Sequence, residues 1–141
     1  MTADCMLDTN VLAYMYDSSN PIKQQKAIQI VDYWVRKKRV AISVQVLSEF
    51  AVIASKKLNP PLTYSEIMAS VERLSGSMIV LPLTTFIVQE AVRGANSYQM
   101  SYWDAQIWAA ARMNQIPLIF TEDIPGQSRI EGVSYENPFA E

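Results

Sequence analysis

Four carboxylates stand where the chain changes from one kind of segment to another. Asp8 closes the apolar run Met6-Leu7, and Glu49 lies in the first two turns of the helical pattern that begins near Val44. Asp104 comes three residues after Ser101, and Asp123, beside Glu122, follows the apolar run of "LIFTEDIPG". Each acid has an ordinary role open to it. Asp8 or Asn10 could cap the next helix. Glu49 could mark the edge of an apolar face, Asp104 could complete a capping box with Ser101, and Glu122-Asp123 could be turn chemistry ahead of Pro125-Gly126. Taken together they ask for more. Converging carboxylates repel by roughly 4 kcal/mol per pair at 4 Å and an effective dielectric of 20. A divalent cation removes that repulsion, and carboxylate with water ligands suits hard ions such as Mg²⁺ or Mn²⁺. A cation held this way activates water and stabilises charge on a phosphodiester under in-line attack.

The rest of the composition narrows the chemistry in the same direction. The chain has no histidine, which excludes imidazole metal sites and Ser-His-Asp or Cys-His catalysis. Its single cysteine, Cys5, permits no intrachain disulfide and no thiolate zinc cage, and its place in the first apolar run reads as core. The net charge of −2 argues against holding nucleic acid by bulk electrostatics, while leaving room for a local basic patch. The 141 residues suit one domain over 1–141. No apolar run reaches the ~20 residues of a membrane span and no leader-like segment opens the chain, so the expectation is a cytoplasmic protein with no membrane partner.

These acids need elements to place them. Asp4 to Leu7 reads as a strand and Val11 to Tyr16 as a short helix. Asn20-Pro21 opens a second helix, with apolar residues at Ala27, Ile30, Val31, Trp34 and Val35 and the basic run Arg36 to Arg39 at its end. A cationic helix end complements the dipole, which is the preferred reading of that run over contact with RNA. Val40 to Ser43 is a second strand, followed by a helix from Val44 to Lys57. Thr63 and Glu66 form a capping box for a helix to Ser75. Ser77 to Leu83 is a third strand, and Thr84 opens a helix to about Ala95. Ser101 caps a helix from Tyr102 to Asn114, Pro117 to Thr121 is a fourth strand, and Gly132 to Tyr135 a short fifth. Alternating strands and helices predict an α/β layered fold with a mainly parallel sheet, whose ligands sit beyond the carboxyl ends of the strands.

The segments "LDTNVL", "SVQVLSEF", "SYWDAQIWAAA", "LIFTEDIPG" and "GQSRIEGVSYENPF", in that order and spacing, resemble the PIN-domain ribonucleases, particularly VapC-like toxins of type II toxin–antitoxin pairs. The resemblance spans essentially the whole chain. It implies a three-layer α/β/α sandwich around a four- to five-stranded, mainly parallel sheet. It also implies Mg²⁺- or Mn²⁺-dependent cleavage of RNA, inhibition by a small antitoxin protein, and a homodimer. By position in the motifs it assigns metal binding and catalysis to Asp8, Glu49, Asp104 and Asp123. Asp8 and Asp104 would be the main direct ligands, with Glu49 and Asp123 acting partly through waters. Asn10 and Thr121 would be polar supports, with Glu122 a weaker one, and Asn10 keeps the helix-cap role. Lys56, Lys57, Arg93 and Arg112 are the candidates for RNA phosphate contact, and Tyr98, Tyr102 and Trp103 are assigned to core or interface rather than base stacking.

Two other readings are open. A haloacid dehalogenase-like phosphatase would use an Asp after its first strand as nucleophile, but Asn10 occupies the place of its second Asp. A PIN-fold protein kept as a binding scaffold without turnover would tend to lose acids, and all four positions are filled here.

Overall fold

The computed structural model describes residues 3–140. The first strand, β1 (Cys5–Leu7), is wholly buried, and α1 (Thr9–Tyr14) follows it directly. α2 (Pro21–Arg36) starts as its sequence signal predicts, with Asn20 Oδ1 accepting from Lys23 N and proline at the first helical position. β2 (Val40–Ser43) leads into α3 (Val44–Lys56), whose cap is Ser43, the last residue of the strand. α4 (Tyr64–Ser77) opens on the expected capping box: Thr63 Oγ1 accepts from Glu66 N, and Glu66 accepts from Thr63 N. β3 (Ile79–Leu81) is shorter than its apolar run, because Pro82 has no N–H to offer the ladder. α5 (Thr85–Tyr98) runs past Ala95 and stops where Gln99 turns left-handed, and α6 (Tyr102–Met113) is capped by Ser101. β4 (Leu118–Phe120) and β6 (Val133–Glu136) complete the expected strands.

A further strand, β5 (Arg129–Ile130), pairs antiparallel with β6, so the sheet has six strands where four to five were expected. The two-residue connection explains it. Glu131 (φ 48°) and Gly132 (φ 85°) both take positive φ, the signature of the tight hairpin turn that matches strand twist.

The strand order is β3-β2-β1-β4-β6-β5, and every pairing except β5–β6 is parallel. The chain first moves outward from β1 to β2 to β3, then returns to lay β4 on the other side of β1. Right-handed crossovers therefore put α1 to α4 on one face and α5 with α6 on the other, and the helices pack in those groups, α1 on α2 and α3, α3 on α4, and α5 on α6. The result is an α/β/α sandwich around a mainly parallel sheet. The β1–β4 boundary, where the direction of strand addition reverses, is its topological switch point.

The core runs through both faces. Cys5 is fully buried in it, and burial, with Asp4 adding to the effect, pushes its thiol up to about 12, so it is a packing residue and no nucleophile. The basic run at the end of α2 is structural at two positions, with Arg36 paired to Asp32 and Arg39 held by both Asp4 carboxylate oxygens. Among the described residues, no helix is long and apolar enough to cross a membrane.

The α5–α6 contact has its tightest point at Gly94. A Cβ there would meet the ring of the fully buried Trp108, its Cε3 only 2.7 Å away, and Trp108 is itself anchored by Nε1 donating to the Ile130 carbonyl. Gly94→Ala is expected to destabilise the protein by about 1–3 kcal/mol through overpacking, outweighing the gain in helix propensity of roughly 1 kcal/mol. Gly76→Ala in α4, where nothing lies within 4 Å of a new Cβ, is expected to leave stability unchanged or raise it. Urea unfolding of both variants checks this.

Candidate metal-binding site at the sheet switch point

Asp8 leaves the carboxyl end of β1 at the switch point, and Thr121 leaves the carboxyl end of β4 beside it. The two strands stay hydrogen-bonded to their last residues, with Asp8 N donating to the Phe120 carbonyl at 3.0 Å. Their side chains then join: Thr121 Oγ1 donates to Asp8 Oδ2 at 2.8 Å. The other Asp8 oxygen accepts from Thr9 N at 2.7 Å, so Asp8 is the N-cap of α1. This corrects the expectation that Asn10 caps that helix. Asn10 lies inside α1 and spans back to β4 instead, donating from Nδ2 to Thr121 Oγ1 at 3.2 Å and accepting from Glu122 N at 3.1 Å. Asn10 and Thr121 thus brace the end of β4 against the start of α1, and Asp123 N donates to Thr121 Oγ1 at 3.1 Å.

Asp8, Asp104, Thr121 and Asp123 line one small cavity, closed by Ile107, Ile119, Pro125 and Tyr135. Its volume is about 10 Å³, the space of one water-sized occupant. Asp104 reaches it from the first turn of α6, where the helix dipole favours a negative charge. Ser101 caps that helix by accepting from Asp104 N at 3.2 Å, but the reciprocal carboxylate bond seen at Thr63–Glu66 is not made by Asp104. The ordinary capping-box role therefore does not consume its carboxylate.

Glu49 stands at the neighbouring wall. It faces a wider groove of about 590 Å³, shared with Val44, Ser48, Val52, Lys57, Leu83 and Trp103. A chain of amides holds it there. Tyr102 Oη donates to Gln106 Oε1 at 2.8 Å, Gln106 Nε2 donates to Gln45 Oε1 at 2.8 Å, and Gln45 Nε2 donates to Glu49 Oε1 at 2.7 Å and to the Trp103 carbonyl at 3.1 Å. Both glutamines are buried. The sequence reading passed over them, although a glutamine set among Ala105, Ile107 and Trp108 is a signal in itself, since a buried amide must find partners.

The electrostatics of the site centre on Asp8. Burial pushes its carboxyl above its ordinary value, against the hydrogen bonds from Thr121 and Thr9, and the nearby charges of Glu49 and Asp104 push the same way. Among the described residues, no three His, Cys, Asp or Glu side chains stand together as a preformed metal cage. What faces the cavity is a set of separated oxygen donors. Glu122 is placed differently: its carboxylate accepts from Tyr14 Oη at 2.8 Å and pairs with Lys23, and it does not line the cavity. Its only bond toward the site is through its backbone N–H.

The basic and aromatic candidates also separate. Arg93 and Arg112 are engaged with Glu90 and Glu131, while Lys57 lies in the groove beside Glu49. Tyr98 donates to Glu131 and packs edge-on against Trp108. Trp103 is 62% exposed and belongs to the groove, which removes it from the core.

The PIN domain family profile matches residues 5–131. Comparison with curated proteins finds no match. Solved structures with the same fold include a toxin–antitoxin complex from Klebsiella pneumoniae (22% identity, TM-score 0.73, covering 95% of this chain and 97% of that one). VapBC2 from Rickettsia felis, bound to a DNA fragment from its promoter, matches at 16% identity and TM-score 0.71, with coverage of 94% and 97%. The Mycobacterium tuberculosis toxin VapC20, described as cleaving the sarcin–ricin loop, matches at 20% identity and TM-score 0.66, with coverage of 86% and 90%. At these identities the structural likeness speaks for the fold, and the profile match over most of the sequence speaks for the family: the chain belongs to the PIN domain family.

Proposed function

We propose that this protein is a divalent-cation-dependent endoribonuclease and the toxin of a toxin–antitoxin pair. The observation that carries the reading is the convergence of Asp8, Asp104 and Asp123 on one small cavity at the carboxyl edge of a parallel sheet, with Glu49 close enough to raise the Asp8 carboxyl further. The donor set fits a hard cation. All the donors are oxygens, and separated carboxylates match an ion such as Mg²⁺ or Mn²⁺ that keeps several waters. Asp8 and Asp104 would hold it most directly, with Asp123 and Glu49 completing the negative wall. When bound, the cation supplies an acidified water and neutralises charge building on a phosphodiester.

The chain's own residues do the rest. Thr121 and Asn10 fix the orientation of Asp8, and the Gln106–Gln45 relay fixes Glu49, so neither acid needs to reorganise on binding. Lys57, which lines the same groove as Glu49, is the candidate cation for a substrate phosphate. The apolar groove of Val44, Val52, Leu83 and Trp103 supports docking of a small antitoxin, whose arginine would pair with the acids. Exposed Phe86 and Val92 on α5 support a homodimer. The structural neighbours that are toxin–antitoxin complexes point the same way.

Two outcomes test the reading. With Mg²⁺ or Mn²⁺, the protein is expected to cleave structured RNA, and Asp8→Asn or Asp104→Asn to lower the rate at least about 100-fold, the scale of losing one group that stabilises developing charge. RNA left intact at every cation concentration, with Asp8→Asn indistinguishable from wild type, would favour a binding scaffold instead.

The second outcome needs no RNA. Because the folded Asp8 carboxyl is raised, this group binds more protons in the metal-free native state than in the unfolded chain. Its own contribution to stability therefore falls as pH rises through its titration, opposite in sign to the lowered carboxyls of Glu90, Glu122 and Glu131. Asp8→Asn cannot ionise and is expected to remove that pH-dependent loss, although its one carbonyl oxygen can serve only one of the two donors, Thr121 and Thr9, that Asp8 satisfies. Thermal unfolding across pH 4 to 8, with and without cation, checks this.

A further inference from the structure

Among the described residues, two buried side-chain polar atoms have no hydrogen-bond partner: Thr9 Oγ1 and Tyr135 Oη. Only Tyr135 lines the acidic cavity. The residue is 7% exposed and sits on β6 in register with Ile119 of β4, which lines the same cavity. Its ring is therefore held by the sheet, and its hydroxyl is carried to the space that Asp8, Asp104 and Asp123 share. Phenylalanine would supply the same ring without the cost of a buried, unsatisfied donor. A tyrosine hydroxyl carries its proton at neutral pH and is a donor, here without a partner of its own. A cavity of about 10 Å³ leaves room for one water-sized oxygen between it and the acids.

We infer that Tyr135 is a positioning residue of the acidic site, its hydroxyl donating a hydrogen bond to a water carried by a divalent cation bound at Asp8 and Asp104. The inference rests on the cation-site reading above and adds to it a residue outside the acid motifs. Tyr135 touches no reacting atom. It completes, from the fifth position of the strand order, a donor set otherwise built from β1, β4 and α6.

The test compares Tyr135→Phe with wild type in Mn²⁺ binding, by titration calorimetry and by electron paramagnetic resonance of free Mn²⁺, and in thermal unfolding with and without Mn²⁺. Without cation, Tyr135→Phe is expected to melt at or above the wild-type temperature, since it loses only an unpartnered hydroxyl. With cation, its affinity is expected to be about fivefold weaker, the scale of one hydrogen bond, and its melting temperature to fall below that of wild type. This reversal of order is the signature, because a purely packing role moves both states alike. Equal Mn²⁺ affinity in the two proteins overturns the inference and leaves the cation site standing. A Tyr135→Phe destabilised by the same amount with and without Mn²⁺ also overturns it, by showing a role confined to the fold itself. If wild type itself binds no Mn²⁺, the cation-site reading fails and takes this inference with it.

Discussion

The hydrogen bond from Thr121 Oγ1 to Asp8 Oδ2 joins the carboxyl ends of β1 and β4, and the geometry of the acidic site follows from it. These strands are adjacent only because the chain reverses its direction of strand addition after β3. At such a reversal a crevice opens between the two strand ends. Asp8 lies at one lip and Asp123 just beyond the other. Asn10 doubles the join by reaching from α1 to both Thr121 and the Glu122 N–H. The short α1 is thus held to β4 by side chains and is not merely the next element after β1.

Bringing acids to this crevice is unfavourable, and the fold offsets the cost in distinct ways. Asp8 accepts two hydrogen bonds, Asp104 lies at the positive end of α6, and Glu49 accepts from a buried amide. None of these supplies a cationic side chain. The guanidinium groups of Arg93 and Arg112 are spent on Glu90 and Glu131 at the α5–α6 face, and the Lys23 ammonium goes to Glu122. Among the described residues, no cationic side chain is paired with the acids at the crevice. A structural acid cluster would sooner be paired internally, as Glu122 is.

The relay Tyr102–Gln106–Gln45–Glu49 links the two helix starts that flank the sheet edge. It sets the first turn of α6, which carries Asp104, against the first turns of α3, which carry Glu49. Because both glutamines are buried and each has its amide satisfied on both sides, the relay has little freedom to rearrange. The spacing of the two helix starts that carry these acids is consequently set by the fold.

Local physics was enough to place most elements from the residues alone. Asn20-Pro21 and Thr63 with Glu66 announce helix starts because their side chains satisfy N–H groups a few residues away, and no distant partner is needed. The absence of histidine left any chemistry to carboxylates, hydroxyls, amides, Lys and Arg, and the acids marked strand and helix boundaries. What could not be read locally depended on pairing across the sheet. Asp8 and Asn10 are both good caps by type, and only the approach of β4, more than a hundred residues later, assigns the cap to Asp8 and turns Asn10 toward Thr121. The same holds for Glu122, whose partners Tyr14 and Lys23 lie far back in the chain, and for Gln45, Gln106 and Tyr135, which look like filler until the helices and β6 are docked. The sequence by itself determined the elements and the kind of chemistry, because hydrophobic period, caps and residue types act over a few positions. Which acids share a cavity, and which polar groups brace them, was decided only by the tertiary structure, because those contacts span the strand reversal that brings β4 beside β1.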